Sequence, residues 1–160
     1  MSTYQNHINF VSVTPTVDTA AYADGDLMGT KMTFSNALPL ETGCGLLRSV
    51  RISDLAGQTG AFDLVLFESD PSGTTFTDNA AFDIADTDLS KVMCVINFPA
   101  ASQFAFADNS VKYLTGMQTP IRGISTNAPS RTIYGALVAR AAQTYATASD
   151  VTVKLGITFT

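Results

Sequence analysis

Apolar and polar side chains alternate along most of this chain, with the period of two that belongs to strands rather than the 3.6 of helices. The densest block is residues 45–71, GLLRSVRISDLAGQTGAFDLVLFESDP. In its first arm Leu46, Val50 and Ile52 share one parity, which Arg48 breaks, while Ser49, Arg51 and Ser53 share the other. In its second arm Phe62, Leu64 and Leu66 oppose Ala61, Asp63, Val65 and Phe67. The two arms read as a hairpin joined by a polar, glycine-bearing loop. Val65 and Phe67 place apolar area on both faces of the second arm, which predicts a central strand covered on both sides. Two strands are not stable alone, so others must complete the sheet.

The rest of the pattern supplies them. Strands are expected at 8–13, 27–34, 92–98, 111–114 and 121–125, around Phe104 and Phe106, and from Ile133 to Ala139. The terminal strand is the most regular: Val151, Val153, Leu155, Ile157 and Phe159 alternate with Thr152, Lys154, Gly156, Thr158 and Thr160. Residues 1–7 are polar and read as a flexible N-terminus ahead of one domain over 8–160. Asp24-Gly25 marks a turn, Pro39, Gly43 and Gly45 mark a loop, and Gly43-Cys44-Gly45 reads as a turn within it. Residues 72–92 lack alternation, and Asp86 or Thr87 is expected to cap a short helical turn there, running to Lys91. About eight to ten strands with turn signals at roughly 8–12-residue spacing predict an all-β, antiparallel β-sandwich with at most one short helical turn. A jelly-roll topology is expected, because long strands alternate with long irregular crossings.

Composition narrows the chemistry. A chain of 160 residues makes one domain and buries roughly two-thirds of its unfolded surface, enough for a core without staples. Charged residues are 14% and apolar ones 46%, a balance lean in charge that suits a protein packed against neighbours. The net charge is −5 and the nine basic residues are scattered, which leaves no footprint for nucleic acid or an anionic membrane. No apolar stretch approaches the roughly 20 residues of a membrane span. The start, MSTYQNHINF, lacks the basic-then-apolar pattern of a signal peptide, so assembly in a cytoplasm is expected. Cys44 and Cys94 are expected as free thiols in a reducing compartment.

Catalytic signatures are sparse. His7 is the sole histidine, and neither a nucleophile elbow, a phosphate-binding glycine loop nor a Cys-x-x-Cys pair occurs, so no enzyme, cofactor or metal is expected. Asp78, Asp83, Asp86 and Asp88 lie near enough in sequence to converge on Ca²⁺, but the ligand order of an EF-hand is missing. A solvated loop and helix cap is the expectation there. Asp63 and Glu68 fall on opposite faces of one strand and form no hydrolase pair. Tyr22, Tyr113, Tyr134 and Tyr145 are the candidates for a sugar-stacking face.

Five stretches together resemble a family of small virion structural proteins of tailed bacteriophages and prophages. They are YADGDLMG (22–29), SVRISD (49–54), DLVLFESDPSGTTFTDNAAFDIADTDLSKV (63–92), IYGALVAR (133–140) and TYATASDVTVKLGI (144–157). They cover most of the chain in order, and the third is long enough to be specific. Phage proteins of this size and type include capsid decoration, or cement, proteins with jelly-roll folds, usually trimeric. The resemblance therefore implies a non-enzymatic homo-oligomer, a trimer, that binds the major capsid protein on the capsid exterior and stabilises the head shell. The alternative is a tail or fibre component, or a carbohydrate-recognising receptor-binding module. Capsid contacts are expected from the loops at 72–90, 38–45 and 141–149, and within the first from Phe76, Phe82, Ile84 and Asp86. Three large apolar residues in an irregular segment must bury in their own domain or in a partner's.

Overall fold

In the computed structural model, which describes residues 7–159, the alternating segments become strands divided between two sheets that face each other across one core. The first sheet joins β1 (His7–Val13), β12 (Val151–Phe159), β3 (Cys44–Asp54), β7 (Ser110–Leu114) and β6 (Gln103–Ala105), in that order, with β8 (Thr119–Arg122) also pairing β3. The second joins β2 (Met32–Phe34), β11 (Ile133–Ala139), β4 (Phe62–Phe67) and β5 (Val92–Phe98). A small hairpin pairs β9 (Ile124–Ser125) with β10 (Ala128–Pro129). The pairings are antiparallel, and helix is confined to α1 (Asp86–Leu89) and a 3₁₀ turn at Ala100–Ser102. The fold is the all-β antiparallel sandwich that the alternation predicts.

The expected hairpin at residues 45–71 is instead an arch. β3 and β4 lie in opposite sheets, so the apolar faces of the two arms meet across the core rather than side by side. Val50 and Ile52 point inward from the first sheet, and Phe62, Leu64 and Leu66 from the second; all five are fully buried. Asp54 turns the chain out of the first sheet, its carboxylate accepting the amides of Ala56 (2.8 Å) and Gln58 (3.2 Å). Such short-range side-chain bonds favour a turn over continued pairing.

Arg48, which interrupts the parity, marks a β-bulge. Ser49 pairs Gly156 while Leu47 pairs Ile157, so Arg48 is the extra residue. The bulge switches which parity faces in. Leu47 is fully buried and Leu46, expected on the core face, is turned outward.

Other boundaries shift for local reasons. The strand expected over 27–34 is reduced to Met32–Phe34, with isolated bridges at Asp26 and Leu27. Gly29 breaks it: its φ of +77° is a left-handed conformation, and its amide donates to the Asp78 carboxylate at 2.6 Å. The single strand expected over 121–125 splits into β8 and β9. Cys44, expected in a turn, opens β3 opposite Arg122. Neither Asp86 nor Thr87 caps α1; its N-cap is Ala85, with no side-chain cap bond. The flexible segment expected over 1–7 lies, for residues 1–6, outside the described residues, whereas His7 pairs Phe159 in β1.

The second sheet has apolar side chains on both faces. Its inner face joins the main core, while on its outer face Leu27, Val65, Phe67, Ala136 and Val138 form a second buried cluster. β4 is accordingly a central strand covered on both sides. The first sheet has only one buried face, and that difference positions the candidate site.

Candidate functional site

The loop residues expected to touch a capsid pack on their own domain. Phe76, Phe82 and Ile84 are half-buried against the outer face of the second sheet. Phe76 meets Phe67 edge-on at 6.5 Å between ring centroids and Phe82 at 5.5 Å. Asp86 is exposed in the first turn of α1. Asp88 latches the loop: fully buried, it accepts the Thr74 hydroxyl at 2.8 Å and the Lys91 ammonium at 2.7 Å. The Lys91 ammonium holds its carboxyl below the usual carboxylate range, aided by the Thr74 hydroxyl against the opposing effect of burial.

The four aspartates weighed for Ca²⁺ do not converge. Asp78 accepts the Tyr22 hydroxyl (2.7 Å) and the Gly29 amide, Asp88 holds Thr74 and Lys91, and Asp83 and Asp86 face solvent. Among the described residues no group of three or more His, Cys, Asp or Glu is placed to hold a metal. Cys44 and Cys94 lie in different sheets and are unpaired. Of the four candidate tyrosines, Tyr22 and Tyr145 are core residues, Tyr134 is half-buried, and Tyr113 stands well out of the surface.

Tyr113 belongs to a feature that the linear pattern did not reveal. The outer face of the first sheet carries Phe10, Phe104, Phe106 and Tyr113, exposed by 56, 67, 64 and 46%. Three cross-strand rows build it. Phe10 pairs Gly156, which pairs Ser49. Lys154 pairs Arg51, which pairs Tyr113. Ser53 pairs Val111, which pairs Phe104. Together they enclose a shallow groove of about 480 Å³ with Ser49 and Gly156 in its floor. Phe10 can lie over that floor only because residue 156 is glycine: a Cβ there would stand 2.9 Å from the Phe10 ring and 2.4 Å from the Ser49 hydroxyl. The Lys154 ammonium sits 4.9 Å from the centre of the Phe10 ring, a cation–π contact.

The electrostatics of this face oppose those of the whole chain. Fourteen acidic residues outnumber nine basic ones, yet the charged side chains lining the groove are Arg51 and Lys154 alone. They are directly opposed across β3 and β12, an arrangement that costs stability. Among the described residues neither forms an ion pair. Four basic residues elsewhere are paired: Arg140 with Asp63 at 2.6 Å, Lys31 with Asp70 at 2.5 Å, Lys91 with Asp88 at 2.7 Å, and Arg122 with Glu68. Arg48, Lys112 and Arg131 also form no ion pair among the described residues, so what sets Arg51 and Lys154 apart is that they are cross-strand neighbours.

A second polar group lies inside one end of the sandwich. Asp54, Ser110, Lys112, Gln143 and Asp150 are buried there. Burial pushes the Asp54 carboxyl up, with nearby Asp150 adding to it against the pull of the Ala56 and Gln58 amides, and burial pushes the Lys112 ammonium down. Lys112 donates only weakly, to Ala100 O at 3.4 Å and Gln103 Oε1 at 3.3 Å. Asp150 is opposite in sign to Asp54: burial raises it, but the Thr147 hydroxyl and the Thr147 and Ala146 amides outweigh that and hold it low.

One signal in the linear pattern did bear on the aromatic face. Phe10 and Tyr113 fall on the parity that carries polar or small residues in β12 and β3, so each is an apolar side chain on a solvent-facing row, and Phe104 extends that row through Val111. Recognising the row requires the strand order, which joins β1 to β12 and β3 to β7 across long sequence separations. No helix among the described residues is long and apolar enough to cross a membrane. Compared with known protein families and with curated protein sequences, the chain matches none.

Proposed function

We propose that this chain is a non-enzymatic structural protein of a phage virion, a capsid decoration or cement protein that binds the major capsid protein and stabilises the head shell. The observation that carries the reading is the uncovered aromatic face. The outer face of one sheet is closed by its own loop, while the other presents four aromatic side chains to solvent. An exposed apolar patch of this kind, with Arg at its centre, has the composition of a protein interface. A sandwich with a continuous core offers such a face without deforming on contact. The resemblance of residues 22–29, 49–54, 63–92, 133–140 and 144–157 to small virion proteins supplies the assembly.

The same reading includes a trimer on the capsid exterior and a jelly-roll topology. What supports the topology is the strand order, β1-β12-β3-β7 in one sheet and β2-β11-β4-β5 in the other, which is compatible with two Greek keys. We place the contact surface on the opposite sheet, because Phe76, Phe82 and Ile84 bury apolar area against their own domain while the aromatic face does not; Asp86 stays exposed beside α1.

Copy number in purified virions, scaled to the major capsid protein, tests this reading. Near one copy, or a small fixed fraction, per capsid subunit is the expected result. A few copies per particle would move the protein to the tail or a fibre, and absence from the virion would end the structural reading.

A further inference from the structure

We infer that the aromatic face is a heterologous docking site for an acidic, apolar element of another protein: a segment that seats a bulky apolar side chain in the groove and brings a carboxylate to Arg51 and Lys154. The inference rests on the reading of this face as a docking surface, and it does not require the partner to be a capsid protein.

Three observations carry it. The first is the like-charge pair. Arg51 and Lys154 are neighbours on adjacent strands with no counter-ion among the described residues, in a chain of net charge −5. The cross-strand charge rule would place a carboxylate at one of these positions. The Lys154 contact with Phe10 offsets part of the cost, but Arg51 has no such partner among the described residues, and an uncompensated local cost is characteristic of functional surfaces. A partner carboxylate bridging the two cations relieves their repulsion on binding, so the attraction is larger in the complex than a lone surface pair would give.

The second is shape. The groove is walled by Phe10 on β1 and by Phe104, Phe106 and Tyr113 on the β6–β7 side, with small residues between. Its volume of about 480 Å³ lies toward the low end of the roughly 300–1,000 Å³ of small-ligand pockets. That space admits a protruding side chain or two. The third is the exclusion of self-pairing. Two copies joined through this face about a two-fold axis would bring four cations and no groove carboxylate into one interface, which like-charge repulsion opposes. Nucleic acid is disfavoured because two cations on an acidic protein give little of the phosphate neutralisation that such binding needs.

The test is a nuclear magnetic resonance titration of the full chain with two short peptides. One interleaves carboxylates with Phe and Leu; the other is identical except that every carboxylate is replaced by Lys. The acidic peptide is expected to shift resonances of Phe10, Arg51, Phe104, Tyr113 and Lys154, and the basic peptide to leave them unmoved. Raising salt from about 50 to about 500 mM is expected to weaken the binding, since exposed charges are then screened. Arg51→Glu is expected to raise the dissociation constant at least roughly tenfold, while its melting temperature holds or rises because the introduced carboxylate faces Lys154. Phe104→Ala is expected to weaken binding with the fold intact.

Equal binding of the basic peptide, shifts located elsewhere, no shift at all, or full affinity in Arg51→Glu would each overturn the inference. Concentration-dependent changes at these residues without peptide would give the face to a second copy and overturn it as well. Virion copy number is measured separately, so loss of the cement reading and loss of this one are told apart.

Discussion

Gly156 is where the core and the proposed docking face meet. Its own strand neighbours are inward-facing apolar residues, while its open side receives the Phe10 ring. Replacing it with Ala puts a methyl group 2.4 Å from the Ser49 hydroxyl and 2.9 Å from the Phe10 ring, so these side chains must shift. Gly156→Ala is expected to cost about 1–3 kcal/mol, the range of overpacked sites, and to displace Phe10 from the groove. Denaturant unfolding reads the first effect and the Phe10 ring resonances the second; unchanged stability would mean that Ser49 simply rotates away. Asp88 gives a residue-scale prediction of a different kind. Its carboxyl is held below the ordinary range by Lys91 and Thr74, so the unfolded chain binds this proton more readily than the folded one. The stabilisation is therefore complete above the ordinary carboxylate value of about 3.9 and is lost as pH falls through the lower folded value. Asp88→Asn should be less stable than the parent at neutral pH, and the gap should close as the solution is acidified. A gap that stayed constant down to strongly acid pH would show that the Thr74 bond, not the charge, holds the loop.

At the scale of elements, the loop between β4 and β5 acts as the missing outer layer of the second sheet. Phe76, Phe82 and Ile84 cover Val65, Phe67, Ala136 and Val138, and Lys31 lies within cation–π range of both Phe76 and Tyr134. Phe76→Ala is expected to destabilise by about 1–3 kcal/mol, less than the full value for a completely buried ring. Phe104→Ala, on the exposed face, should stay within about 0.5 kcal/mol. Urea midpoints for the pair check this directly, and comparable losses at both would mean that the two faces are not distinct in kind. That distinction explains what can be read from the pattern and what cannot. Strand positions are legible wherever alternation is long, as in β11 and β12, because the period of two is a local property. The covering of β4 is legible too, from Val65 and Phe67. Sheet membership is not: an arch and a hairpin need the same alternation and the same polar connector, and the choice at residues 55–61 follows from Asp54 bonding its own turn. The Arg48 bulge shows in the pattern only as an interruption, and its meaning depends on Gly156, far away along the chain. The docking face is illegible for the same reason, since its rows are assembled by pairing order.

For the molecule as a whole, two strands far apart in sequence close the fold. β12 lies between β1 and β3, so it joins β1 to the body of the sheet. Val151, Val153, Leu155 and Ile157 on β12 are fully buried, and its outer row supplies Lys154 and Gly156 to the aromatic face. Core, edge protection and candidate site thus all depend on nine residues, Val151–Phe159. Pairing of this separation must pay loop-closure entropy before any contact forms, which places such all-β domains in the millisecond-to-second range of folding. A chain ending at Asp150 is therefore expected to lack a cooperative unfolding transition. Without β12, β1 has no strand to pair with, β3 becomes an unprotected edge, and the inner face of the second sheet loses the cover of Val151, Val153, Leu155 and Ile157. Such an edge pairs readily with other chains, so the truncated protein should also scatter light at concentrations where the full chain stays clear. A sharp transition in the truncated chain would instead mean that the second sheet, with its loop layer of Phe76, Phe82 and Ile84, folds by itself. The first sheet would then be an addition to an independently stable half, and the rigidity assigned to the docking face would have to come from its partner.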